Sequence, residues 1–308
     1  MTWVSGMCLL VVVYYFNANV YLIDPQRADL TPVEATAIGL AVIVLSWLVY
    51  DFLCKSSLSE QPMLLSVSLL VYLVGLALIL SNLFSGRGAF IHVGAAIGTI
   101  MVGNVFFVII PAQRELVNAL VENRTPDPAP GKNGLLRSRH NNYLTLPVLF
   151  IMISNHFPST YGDTFNWAVL AVISIASVAI RHWFNIRHTP DRKTWILPTA
   201  MLLLFVVMLY TAPRTPDVSP ENAITTAQVQ TVIAQRCTVC HSSTPTQVGF
   251  SSPPLGISFD QDSDVETQAA RIFSATVTTR VMPPGNLTGI TDDERDMITR
   301  WYTGLNAE

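Results

Sequence analysis

From Met63 to Leu80 the chain carries no charged side chain. No other feature of the sequence limits the fold as strongly. A segment crossing a bilayer must pair its backbone N–H and C=O groups internally, so an apolar run near 20 residues is read as a membrane-spanning helix. Further stretches read the same way. The pattern predicts spans at about 3–22, 33–54, 62–84, 89–111, 142–158, 165–187 and 194–212. The fifth is short and holds Pro147. The expected fold is mainly α, with a polytopic transmembrane helical bundle of about seven spans over residues 1–212. Cys8 and Cys54 fall in or beside spans and read as small buried apolar residues.

The loops between these spans are unequally charged. With the N-terminus on the cytoplasmic side, the inner loops hold Lys55, Arg114, Arg124, Lys132, Arg137, Arg139, Arg187, Arg192 and Lys193, and the outer loops only Arg27 and Arg87. That bias sets the orientation. It places everything after the seventh span outside, in the periplasm of a bacterial inner membrane. The inner loop at 112–141 reads as a helical extension, an irregular Pro/Gly stretch and a basic approach to the fifth span. The N-terminus has no basic n-region and no small-residue cleavage site, so it does not read as a cleaved signal peptide.

Composition changes after residue 212. Residues 1–212 carry 12 Lys/Arg and 10 Asp/Glu, whereas residues 213–308 carry 6 Arg and 11 Asp/Glu. The tail is a separate acidic domain. Pro213, Pro216 and Pro220 make residues 213–224 a semi-rigid linker, and residues 225–308 form the tail domain. No basic patch with interleaved aromatics appears, which excludes a nucleic-acid partner.

The tail holds Cys237-Thr238-Val239-Cys240-His241, the C-x-x-C-H attachment pattern of a c-type heme. Two thiols at that spacing reach the two vinyl groups of one porphyrin, and the following imidazole meets the iron. A zinc site would need a second cysteine pair, and a thioredoxin-like site a βαβ pattern; neither is present. His241 is therefore the proximal ligand. Met282, in the stiff Arg280-Val281-Met282-Pro283-Pro284-Gly285 loop, is the expected distal one. Helices are expected at 226–237 and 292–303, the second capped by Thr291 and Glu294. The order helix, clip, loops, methionine loop, helix describes a small class I cytochrome c-like α domain. So short a chain makes a poor core alone, and the heme supplies filling.

Ionisable groups at membrane depth are functional candidates. Arg87, His92, Asn155 and His156 fall at outer ends of spans, on the heme side. Together they suit a flat, anionic, hydrogen-bond-rich ligand, and the histidines also suit a b-type heme or a metal. His140, Asn141, Asn142, Arg181, His182, Asn185 and His188 fall at inner ends and read as loop anchors.

Several stretches carry a family resemblance. They are Ser85-Gly86-Arg87-Gly88-Ala89-Phe90-Ile91-His92-Val93-Gly94, Gly103 to Pro111, Arg137 to Tyr143, Ile153-Ser154-Asn155-His156-Phe157-Pro158, and Met282 to Gly289. They resemble the membrane-bound, cytochrome-c-fused urate hydroxylases (urate oxidases) of bacteria over nearly the whole chain. The resemblance implies oxidation of urate to 5-hydroxyisourate with water as the oxygen source. It implies electron transfer to one covalent heme c held by Cys237, Cys240, His241 and Met282, and onward to a terminal oxidase or soluble cytochrome. It also implies further membrane segments upstream of Met1, which this sequence lacks. For catalysis it nominates Arg87, His92, Asn155 and His156. One heme takes one electron and urate gives two. Electrons therefore leave singly, or a second acceptor, a b-type heme or metal, sits in the membrane domain. The alternative function is a membrane-anchored cytochrome c carrier, quinol-oxidising or oxidase-docking, with no urate chemistry.

Overall fold

Residues 1–212 and 224–305 are described in a computed structural model; they are mainly helical and hold no strand. The expected linker falls almost wholly outside them. Helix α1, Thr2–Leu10, runs into a π-turn at Val11–Tyr15 and is followed by the short α2, Ala18–Tyr21. Helix α3, Pro32–Lys55, starts at a capping box: the Thr31 hydroxyl accepts from the Glu34 N–H at 3.3 Å and the Glu34 carboxylate accepts from the Thr31 N–H at 2.9 Å. Then come α4, Pro62–Leu83, and α5, Gly86–Gly103, which continues through a π-turn at Asn104–Ile109 into α6, Ile110–Val121. The body closes with α7, Pro128–Ile153, α8, Pro158–Tyr161, α9, Asn166–Ile186, and α10, Ile196–Tyr210.

Four helical stretches among the described residues are long and apolar enough to cross a membrane: Pro32–Lys55, Pro62–Leu83, Gly86–Val121 and Asn166–Ile186. The first and last apolar stretches form shorter helices, Thr2–Tyr15 and Ile196–Tyr210. Helix α7 begins with a polar stretch that runs on through His140, Asn141 and Asn142. It also begins earlier than its sequence suggests. Pro128 and Pro130 sit in its first turn, where no N–H is needed, and the Asp127 carboxylate accepts from the Ala129 N–H at 2.9 Å. The irregular stretch is thus confined to 122–127. Large apolar side chains point outward along the bundle, among them Phe52 (71% exposed), Met63 (79%) and Val71 (66%). Water would oppose that surface, and lipid accepts it. Membrane association follows from these helices.

Helix α5 lies at the centre, packed against α3, α4 and α7. Phe90, Val93, Ala96 and Ile97 are buried along it. Its two ends carry separate polar clusters. At the far end Arg137 is fully buried, and its guanidinium donates to Asp51 Oδ1 at 2.7 Å and to Asn104 Oδ1 at 3.3 Å. The Asn104 amide in turn donates to the Tyr50 hydroxyl at 2.9 Å and to Asn141 Oδ1 at 2.8 Å, and the Tyr50 hydroxyl lies 2.8 Å from His140 Nδ1. Asp51 also pairs with Lys55 at 2.7 Å. This cluster ties α3, α5 and α7 together. His140 and Asn141 are part of it, rather than surface loop anchors.

The tail folds as α11, Thr226–Arg236, two short helices α12, Asp262–Thr267, and α13, Ala269–Phe273, and α14, Asp292–Leu305. Thr291 and Glu294 form the expected reciprocal cap, at 2.8 and 3.2 Å. Val229, Ile233, Ile298 and Trp301 are buried between α11 and α14, and Trp301 Nε1 donates to the Thr226 hydroxyl at 3.2 Å. Deleting one methyl group here, Ile298→Val, is expected to lower tail stability by about 1 kcal/mol, read as a lower denaturation midpoint for the tail.

Candidate functional site

The site forms where the start of α5 meets the turns around α2 and α8. Ser85 caps α5: its hydroxyl accepts from the Gly88 N–H at 3.0 Å and donates to the Tyr21 carbonyl at 2.7 Å. Gly86 lets Tyr161 approach; a Cβ there would lie 1.9 Å from the Tyr161 carbonyl oxygen. The Ser-Gly-Arg-Gly order thus brings the first turn of α5 against two other segments and directs Arg87 between them. Arg87 Nε donates to the Tyr14 hydroxyl and to Asn155 Oδ1, both at 3.0 Å. Its guanidinium carbon lies 5.0 Å from the Tyr21 ring centre and 5.7 Å from that of Tyr14. This is a cation framed by two aromatic faces, with its Nε fixed and the fork left for an anion.

Of the four residues singled out for catalysis, Arg87 and Asn155 meet. His92 lies behind them, fully buried. Its Nδ1–H donates to the Gly88 carbonyl at 2.8 Å, and its Nε2 accepts from the Tyr15 hydroxyl at 3.1 Å. Both nitrogens are engaged, and a Cβ on Gly39 would lie 2.6 Å from Nε2. His156 is exposed, in the turn at Ser154–His156. Tyr14 and Tyr21 were missed in the sequence. The tandem Tyr14-Tyr15 in an apolar segment was the available signal.

In the tail, Cys237, Cys240, His241 and Met282 all line one cavity of about 730 Å3. That volume falls within the ~300–1,000 Å3 usual for ligand and cofactor sites. Its wall continues onto the body through Tyr21, Asp24, Arg27, Ser85, Arg87 and Tyr161. His241 Nδ1–H donates to the Ile257 carbonyl at 3.0 Å, so Nε2 is the unprotonated nitrogen, and the ring leans on Phe259 with centres 5.1 Å apart. Burial pushes the Cys237 thiol up to about 12, which disfavours thiolate chemistry there. Among the described residues no three His, Cys, Asp or Glu side chains cluster as a metal site. Met282 is held by its own backbone: its N–H donates to the Ala275 carbonyl at 3.0 Å, and its carbonyl accepts from Arg295 Nη1 at 3.3 Å. The same nitrogen also donates to the Thr276 carbonyl, and burial lowers the Arg295 guanidinium to about 10. Two thiols, an imidazole with a free Nε2 and a thioether around one cavity fit a covalently attached heme. Arg271 in the same wall suits one of its carboxylates, whereas Arg27 and Arg236 are paired with Asp24 and Glu294. The buried Asn286 Oδ1, also in the wall, has no partner and remains open to a donor inside.

Apolar helices long enough to cross a bilayer, ending at an arginine framed by tyrosines beside a partly open cavity, define a helical membrane-associated protein with a small-molecule site. Residues 1–212 match the family model described as urate oxidase N-terminal, and the chain belongs to that family. This places it among urate-related oxidoreductases. No curated protein and no solved structure matches the chain.

Proposed function

We propose that the chain is a membrane-bound urate hydroxylase that oxidises urate to 5-hydroxyisourate and passes electrons to a heme c in its own tail. The observation that carries this reading is the single cavity joining Arg87, in the urate oxidase family domain, to Cys237, Cys240 and His241. The net change is urate plus water to 5-hydroxyisourate, two protons and two electrons. When bound, the heme supplies a one-electron acceptor; the two electrons leave one at a time.

The chain's own residues do the rest. Arg87 pairs with the urate anion through the edge of its guanidinium not used by Tyr14 and Asn155. Tyr21 and Tyr161 offer faces and a hydroxyl to a planar ring. Asn155 holds Arg87 in place, and His92 holds Tyr15 and with it the wall behind Tyr14. His156, exposed and next to Asn155 in sequence, would take the released protons to water. Cys237 and Cys240 would anchor the heme, and His241 and Met282 would hold its iron. The membrane body crosses the inner membrane about seven times, with the N-terminus cytoplasmic and the tail periplasmic, where a terminal oxidase or soluble cytochrome takes the electrons.

Membranes containing the chain test this directly. Urate alone is expected to reduce the heme, and pyridine hemochrome analysis is expected to show c-type heme only. Reduction by quinol but not by urate would identify a membrane-anchored electron carrier instead.

A further inference from the structure

The methionine loop of the tail does not stand free. It rests on the backbone of the body. Gly285, at φ +56°, sits so close that a Cβ would lie 2.4 Å from the Ile23 carbonyl oxygen and 3.2 Å from that of Val20. On the other side, a Cβ on Gly162 would lie 2.0 Å from the Thr279 carbonyl oxygen. Between these points Val281 packs against the hydrophobic core of the body. Nearby, Gln26 Nε2 donates to the Ile290 carbonyl at 3.5 Å. Thus both flanks of Met282 are clasped by the body, at separations that only glycine permits.

We infer that the membrane body is part of the heme pocket: Gly162 and Gly285 are positioning residues that seat the Met282 loop, so that methionine ligation in the tail depends on docking to the body. The inference rests on the heme reading above. It extends that reading by assigning to the family domain a role at the electron-accepting centre as well as at the substrate. In a self-sufficient cytochrome the loop would be held by the cytochrome's own residues. Here the tail supplies Arg295 and the Ala275 carbonyl from one side, and the body closes the other.

Three variants of the full-length holoprotein test this. Gly162→Ala changes the body alone and adds a Cβ whose nearest obstacle is the Thr279 carbonyl. Gly285→Ala adds one facing Ile23. Gly289→Ala has the same kind of left-handed backbone, φ +66°, but its Cβ would meet only Arg236 Nη1, 4.0 Å away, so it controls for strain. Two readouts are taken: the weak long-wavelength band of methionine-ligated ferric heme, and the rate of tryptic cleavage after Arg280. Gly162→Ala and Gly285→Ala are expected to weaken the band several-fold and speed cleavage, at unchanged covalent heme, while Gly289→Ala leaves both near wild type. Faster cleavage with an intact band, or neither change, would overturn the inference, as would equal effects in all three variants. Because cleavage does not need the heme, a wild-type protein without c-type heme but with a protected Arg280 would refute the heme reading and leave the docking in place.

Discussion

Urate-driven reduction of the heme is expected to fall by about 10- to 150-fold when Arg87 is replaced by alanine, corresponding to the ~1.5–3 kcal/mol of a hydrogen bond to a charged group. The geometry argues for the upper part of that range. Arg87 is held at 3.0 Å by both Tyr14 and Asn155 and is flanked by the Tyr21 ring. No other guanidinium in the cavity wall is framed in this way among the described contacts. Lysine at this position keeps the charge but loses the planar fork, so Arg87→Lys is expected to recover only a minor part of the rate. The loss should appear chiefly as a higher urate concentration for half-maximal reduction. Heme content, measured by pyridine hemochrome, should be unchanged. Normal urate-driven reduction in Arg87→Ala would remove this residue from the site.

The second large effect is expected at the opposite end of the bundle. Arg137→Leu should destabilise the body by about 3 kcal/mol, the lower end of the cost of breaking a buried ion pair from one side, since Arg137 is fully buried but Asp51 is 20% exposed. Asp51 would keep Lys55 at 2.7 Å, but that lysine side chain is 66% exposed and replaces little of the lost partner. Asn104 Oδ1 would lose the Arg137 donor. Replacing both charges, Arg137→Leu with Asp51→Leu, should be less damaging than Arg137→Leu alone, because no half-buried carboxylate is left facing an apolar side chain with only an exposed lysine for a partner. Unfolding midpoints of the single and double variants in detergent check this, and additive losses would contradict it.

The sequence made some of this plain and hid the rest for identifiable reasons. The Cys237-to-His241 motif and the Thr291 cap are local, a few residues apart, and read directly. The long apolar helices α3, α4 and α9 are legible because length and hydropathy suffice. Helix α7 is harder: its polar residues belong to the buried Arg137 cluster, so the composition of its first half resembles a loop. The meeting of Arg87 with Asn155 joins residues far apart in the chain, and no local pattern announces it. His92 was grouped with Arg87 by depth along α5. Depth does not fix the direction of a side chain, and its ring turns to its own helix at Gly88 and to Tyr15.

The clasp between loop and body is built largely from main-chain carbonyls, those of Val20, Ile23 and Thr279, facing glycines. Carbonyl oxygens are the same whatever side chain they carry. The clasp itself therefore makes no demand on the side chains of Val20, Ile23 or Thr279, of which Val20 and Ile23 are buried and answer to core packing instead, while any side chain at Gly162 or Gly285 intrudes on the joint. Conservative apolar exchanges at Val20 and Ile23 are expected to leave the joint intact, and alanine at either glycine to open it. Variation among natural copies of this protein should show the same contrast: positions that lend only a carbonyl to the joint, varying within the limits of their own packing, and two positions held to glycine.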